Sequence, residues 1–102
     1  MNLSQKDWTS NQAENKASVI LDVRTPEEYD SGHIVSAQLI DIRNPQGFME
    51  GIAQLDKSKT YYVYCRSGAR SAQACQLLKQ QGITDCFNLL GGILDWSGET
   101  TI

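Results

Sequence analysis

Six residues near the middle of the chain, Cys65-Arg66-Ser67-Gly68-Ala69-Arg70, place a nucleophile, two cations, a hydroxyl and a glycine side by side. They follow the β-rich run Tyr61 to Tyr64 and lead straight into the helix-forming run Ser71 to Gln81. A loop between a strand and a helix turns backbone N–H groups and the positive end of the helix dipole toward one spot, which cradles negative charge. The natural occupant is Cys65 as its thiolate. A thiol at a helix start beside cations ionises below its free value of roughly 8.5, and the thiolate is the reactive form. Gly68 permits positive φ where the N–H groups converge, and Ser67 and Ser71 carry hydroxyl donors. Arg70 offers a planar fork for a thiosulfonate, sulfate-like or phosphate group. Cys65 is therefore the candidate nucleophile, and Arg66, Ser67, Gly68, Ala69, Arg70 and Ser71 are the candidate anion-binding set. On these residues alone, sulfur transfer and phosphoryl transfer both fit.

The surrounding composition narrows the partners. With 102 residues, 40% hydrophobic and 21% charged, the chain fits one globular domain, 1–102, and is too short for two. A net charge of −3 argues against nucleic acid, which needs a basic face. Any anion site must be local, and Tyr61 to Thr84 is a segment with cations and no acid. Met1 to Trp8 has no apolar run of signal or spanning length, so no membrane partner and a cytoplasmic location are expected. Three cysteines, an odd number, point to free thiols in a reducing compartment.

The elements that must position the loop read as an α/β alternation. Leu3 to Lys16 reads as an opening helix capped by Ser4. Ser18 to Val23 is an apolar β-branched run suited to a strand buried on both faces. Thr25-Pro26-Glu27-Glu28 starts a helix with a capping box, and Gly32 stops it. Ala37 to Ile42 reads as a brief strand, and Asn44-Pro45 opens a helix whose Phe48, Met49, Ile52 and Leu55 share a face. Tyr61 to Tyr64 is the third strand. Ala69 to Gln81 is the clearest helix, with Ala72, Cys75 and Leu78 in one stripe beside Ala74 and Leu77, ended by Gly82. Cys86 to Leu90 is a fourth strand, broken by Gly91-Gly92 before a helical turn from Ile93 to Trp96 and a polar tail. The fold class expected is α/β, a small, mostly parallel sheet of four to five strands with helices on both faces. Ligands of such sheets bind at the carboxyl ends of strands, where Cys65 stands.

Other residues with chemical potential read more plainly. Asp22 and Arg24, two apart on a strand, share a face near the functional edge and are expected to form a buried ion pair that supports the following loop. His33, the only histidine, fits a turn hydrogen bond better than a Cys-His catalytic pair. Cys75 and Cys86 read as buried, inert thiols. No ligand spacing for a metal is present, and no cofactor is expected. Tyr61, Tyr62, Tyr64 and Trp96 read as packing residues.

Three blocks in order carry a resemblance to the rhodanese family, thiosulfate sulfurtransferases that carry sulfur as a cysteine persulfide. They are Leu21-Asp22-Val23-Arg24-Thr25-Pro26-Glu27-Glu28-Tyr29 followed by Gly32-His33-Ile34, the Cys65 loop, and Leu90-Gly91-Gly92 with Trp96. Val35-Ser36 departs from the usual Pro-Gly, and Leu90 stands where an acid is common. The resemblance implies that Cys65 takes sulfur from a small anionic donor such as thiosulfate and passes it to cyanide, a thiol or a protein acceptor. A monomer or weak dimer is expected. Cysteine-dependent phosphatases are the competing class, but they place five residues between Cys and Arg, whereas four lie between Cys65 and Arg70. An arsenate reductase of related fold and a non-catalytic binding module stay open beside the sulfurtransferase reading.

Overall fold

In the computed structural model, which describes residues 1–102, the chain opens with the strand Asn2–Leu3 (β1) and helix α1, Gln5–Glu14. The helix begins two residues later than the sequence suggests, because Leu3 is drawn into the sheet opposite Leu89. Ser4 caps it as expected, accepting a hydrogen bond from the Asp7 N–H at 3.3 Å. Strand β2, Ser18–Asp22, follows, then helix α2, Pro26–Asp30. Both arms of the Thr25/Glu28 capping box are formed.

Two short strands, β3 (His33–Ile34) and β4 (Gln38–Leu39), precede helix α3, Pro45–Ala53, capped by Asn44. Strand β5, Thr60–Tyr64, runs into helix α4, Ala69–Gln80. Strand β6, Cys86–Leu89, a 3-10 turn at Ile93–Asp95 and strand β7, Thr100–Thr101, complete the chain.

Five strands form one parallel sheet in the order β1-β6-β5-β2-β4. The expected α/β class and parallel sheet are therefore present. The polar tail holds a strand that the sequence did not suggest: β7 pairs antiparallel with β3, Thr100 opposite Ile34. Side chains alternate across the sheet, so its two faces build separate cores. On one face, Leu21, Val63 and Cys65 pack with Phe48 and Ile52 of α3 and with Ala74, Cys75 and Leu78 of α4. On the other, Ile20, Tyr62, Tyr64 and Leu89 pack with Trp8 of α1, Ile34 and Ala37. Trp8 anchors that second core through edge-on contacts to Tyr62, Tyr64 and Trp96 at 5.8, 6.4 and 5.6 Å between centroids.

The buried stripe of α4 is Ser71, Ala74, Cys75 and Leu78, with Ala72 and Leu77 half-buried at its flanks. A hydroxyl thus stands in the stripe where the sequence suggests alanine, and it reaches both the Cys65 loop and Asn88 of β6.

Candidate active site

Cys65 is the first residue past β5, and the chain turns there because Gly68, at φ 108°, takes a left-handed conformation that caps α4. The loop is held from its far side by the 3-10 turn. The Ile93 N–H donates to the Cys65 carbonyl and the Leu94 N–H to the Arg66 carbonyl, each at 3.0 Å. With both carbonyls occupied, the loop is held with the Gly68 N–H facing the Cys65 sulfur. Gly92 makes this approach possible: it sits at φ 61°, and a Cβ there would lie 2.6 Å from the Cys65 carbonyl oxygen and closer still to that of Arg66. The paired glycines are thus a seat for the nucleophile loop as well as a strand breaker.

The Gly68 N–H donates to Cys65 Sγ at 3.0 Å, and the Ser71 hydroxyl lies 3.4 Å from the same sulfur. Cys65 is only 1% exposed. Burial alone would push its thiol up, but the Ser71 hydroxyl and the N–H groups of Ser71, Gly68 and Ser67 outweigh it and hold the thiol below its ordinary range. The site favours a thiolate without a neighbouring base.

Ser71 is itself anchored. Its hydroxyl is also within hydrogen-bonding distance of Asn88 Oδ1 and the Gly68 carbonyl, while Asn88 Nδ2 donates to the Gly68 carbonyl at 3.1 Å and to Asn2 Oδ1 at 3.0 Å. Asn88 ties β6 to the start of α4. The sequence carried a signal for it, since a polar side chain in the apolar run Cys86 to Leu90 must find partners when buried.

The two arginines of the loop differ. Arg66 is exposed and makes no ion pair. Arg70, expected as a free fork for an oxyanion, is engaged by Glu28, Nη1 to Oε1 at 2.8 Å and Nη2 to Oε2 at 3.0 Å. Glu28 therefore serves α2 as its cap and α4 as its counter-ion, and Arg70 holds its carboxyl down at about 2. Nothing at the sequence level connects two residues so far apart in the chain.

Asp22 and Arg24 form the expected buried pair, Arg24 Nη2 to Asp22 Oδ2 at 2.7 Å, with exposures of 0% and 5%. Arg24 also donates to the Gly32 carbonyl at 2.7 Å, which fastens the end of α2. Tyr64, read from sequence as packing, is a third member: its hydroxyl donates to Asp22 Oδ2 at 2.6 Å and accepts from the Ile34 N–H at 3.0 Å. Tyr64 and Cys65 are adjacent and so point to opposite faces, and the pair makes no hydrogen bond with loop 65–71. It braces the strand ends behind the nucleophile. His33 stacks on Tyr29 at 3.7 Å, its Nδ1 3.0 Å from the Tyr29 carbonyl, so it is occupied in the turn.

Comparison with known proteins adds a lineage to this geometry. The family described as Rhodanese-like domain matches residues 5–99. The chain is 35% identical over 78 residues to the thiosulfate sulfurtransferase GlpE of Coxiella burnetii, covering 76% of this chain and 70% of that one. It is 37% identical over 95 residues to the probable adenylyltransferase/sulfurtransferase MoeZ of Mycobacterium tuberculosis, covering 90% of this chain but only 22% of MoeZ. The crystal structure of a rhodanese-like domain protein from Staphylococcus aureus superposes with a TM-score of 0.80 at 32% identity, covering 96% of this chain and 92% of that one.

Proposed function

The chain belongs to the rhodanese-like domain family of sulfurtransferases, and on that premise we propose that it moves a sulfane sulfur from thiosulfate, or a similar anionic donor, to a thiophilic acceptor through a persulfide on Cys65. The Cys65 thiolate attacks the outer sulfur of thiosulfate, the S–S bond of the donor breaks, and sulfite leaves with the electron pair. Cyanide or a thiol then attacks the outer sulfur of the persulfide, and Cys65 departs as the thiolate it began as. Charge is conserved at each step, and no separate base is needed because the nucleophile is already ionised.

The observation that carries this reading is the set of donors on Cys65 Sγ, the Gly68 N–H at 3.0 Å and the Ser71 hydroxyl at 3.4 Å, supplied by a four-residue loop. A persulfide anion requires the same donors as a thiolate. Arg66, exposed and without an acid partner, is the group proposed to meet the anionic donor, with the exposed Ser67 and Ala69 beside it, while the buried Ser71 hydroxyl serves the sulfur from within. Arg70 acts through position, keeping cationic charge at the start of α4 while Glu28 fixes its orientation. Thiosulfate is the donor favoured because it is the donor in the GlpE name. The adenylyl chemistry in the MoeZ name is not proposed here, since the chain spans 22% of that protein. A single domain over 1–102, a monomer or weak dimer, and a cytoplasmic setting that keeps the three free cysteines reduced complete the proposal.

Thiocyanate formation from thiosulfate and cyanide, measured beside phosphate release from an aryl phosphate, tests it. Ping-pong kinetics in the first assay and none in the second are expected, with Cys65→Ser inactive. Phosphate release without thiocyanate would replace this reading by the phosphatase one.

A further inference from the structure

Beside the nucleophile, one buried hydroxyl faces more acceptors than it has hydrogens. Ser71 Oγ carries a single hydrogen and stands within reach of Cys65 Sγ at 3.4 Å, the Gly68 carbonyl at 3.2 Å and Asn88 Oδ1. Ser71 is 0% exposed and Asn88 2%, so bulk water does not settle the competition. We propose that Asn88 is a positioning residue for sulfur transfer: its Oδ1 holds the Ser71 hydroxyl hydrogen while the Cys65 sulfur is neutral and yields it when that sulfur becomes a thiolate. In this assignment, which rests on the sulfur-transfer reading of Cys65, the hydrogen never leaves Ser71 Oγ. The hydroxyl turns between two acceptors.

Matching donors to acceptors leaves only those two. The Gly68 carbonyl already accepts from the Ala72 N–H and from Asn88 Nδ2, each at 3.1 Å, which fills its two lone pairs. Asn88 Nδ2 gives its hydrogens to that carbonyl and to Asn2 Oδ1 at 3.0 Å. Turning the amide over would set its oxygen against the Gly68 carbonyl, so Oδ1 must face Ser71. Ser71 is the only donor that Oδ1 has. The charged and titratable groups nearby are engaged elsewhere. Arg70 is paired with Glu28 and Arg24 with Asp22, Tyr64 donates to Asp22, the Met1 amino group to the Cys86 carbonyl and the Cys86 thiol to the Cys75 carbonyl. Arg66 is exposed, Asp95 lies against Gly91, and Lys79 and Cys75 line a hollow beside Asn88. None of these side chains hydrogen-bonds to the hydroxyl or the carboxamide, so the charge that Ser71 and Asn88 answer to is that of Cys65.

A hydrogen bond to a charged acceptor is roughly twice as strong as one between neutral groups. A thiolate therefore takes the hydroxyl from Asn88, and a neutral sulfur returns it. During transfer the charge stands on Cys65 Sγ in the attacking thiolate, passes to the outer sulfur of the persulfide, and comes back to Sγ as the thiolate departs. Asn88 gives the buried hydroxyl an acceptor at the middle stage, when it would otherwise be left unpaired. The same hydroxyl is then at hand for the leaving sulfur. Asn88 also restrains the thiolate, because its Oδ1 loses its only donor when the hydroxyl turns away.

That restraint gives the test its sign. Asn88→Leu keeps the bulk and removes the oxygen that would be orphaned. Alkylation of Cys65 by iodoacetamide, read on peptide Thr60–Arg66, is expected to set in at lower pH. The expected shift is about half a pH unit, the order of one neutral hydrogen bond. In a Ser71→Ala background the same substitution is expected to add no shift. An equal shift in both backgrounds, a shift to higher pH, or none in the first would overturn the assignment. Wild-type protein supplies a second reading with β6 unaltered. The carbon-13 resonance of Asn88 Cγ is expected to titrate at the midpoint of Cys65 alkylation and to lose most of that movement in Ser71→Ala. A resonance that does not titrate, or that moves as far without the hydroxyl, would overturn the exchange. Wild-type protein that has gained one sulfur from thiosulfate is expected to show Asn88 Cγ at its thiol position at neutral pH, and a thiolate position there would overturn the link to the transfer cycle. Protein that gains no sulfur refutes the transfer reading, and the titration of Asn88 Cγ then decides the exchange by itself.

Discussion

A thiol buried as deeply as Cys65 is normally held protonated, since a bare thiolate loses most of its hydration there. The structure reverses that balance with donors that are nearly all backbone, and Ser71 supplies the one side-chain contribution. Ser71→Ala keeps the helix and removes that hydroxyl from the sulfur. The thiolate is favoured above the folded ionisation point and lost as pH falls through it, so losing a donor moves the reactive limb to higher pH. Alkylation of Cys65 by iodoacetamide is expected to slow roughly tenfold near pH 7, the order set by losing a hydrogen bond to a charged acceptor. An unchanged pH profile would remove Ser71 from the account. Arg66 and Arg70 show why residue type alone misleads at this scale: both are guanidinium groups beside Cys65, yet Glu28 occupies one and leaves the other in solvent.

At the scale of elements, the loop is shaped by what abuts it. Gly92 accepts the Cys65 and Arg66 carbonyls where a side chain would collide with them. Gly92→Ala is expected to leave a folded sheet while cutting persulfide formation at Cys65 by at least tenfold, read by thiosulfate-dependent mass change and far-ultraviolet circular dichroism on one sample. The turn after β3 shows the opposite economy. Ser36 stands at φ 72°, a left-handed conformation that suits glycine, at the place where the rhodanese resemblance expects Pro-Gly. Ser36→Gly relieves that strain and loses part of the gain to the greater freedom of glycine in the unfolded chain. A net rise in stability of about 0.5 kcal/mol in urea titration is expected. A loss there would mean that the serine hydroxyl holds the turn.

Across the whole molecule, the two faces of the sheet divide the labour. One face carries Cys65 and its helix, and the other carries the Asp22–Arg24–Tyr64 network that fixes the strand ends from behind. Asp22→Asn leaves a guanidinium almost fully buried without its counter-ion, and a loss of about 3 kcal/mol is expected in chemical denaturation. A change below 1 kcal/mol would mean that the pair contributes little. Much of this architecture was legible in the sequence, because caps, strand runs and the two-residue spacing of Asp22 and Arg24 are local signals. The parallel pairing followed from the alternation of strands and helices, whereas the order of the strands came only with the fold. What escaped was set by contacts between distant segments. Two-residue strands such as β1 and β7 are too short to show periodicity, and Tyr64 and Glu28 meet partners 42 residues away. Asn88 stood in plain view as a polar residue in an apolar strand, and only the fold named its partners.

The central claim is that Cys65 carries sulfur, and intact mass addresses it most directly. Protein treated with thiosulfate and freed of excess donor is expected to gain one sulfur, located in peptide Thr60–Arg66, and to lose it to dithiothreitol or cyanide. Cys65→Ser is expected to gain none. An unchanged mass in the wild-type protein, or a sulfur found on Cys75 or Cys86 instead, would contradict the account.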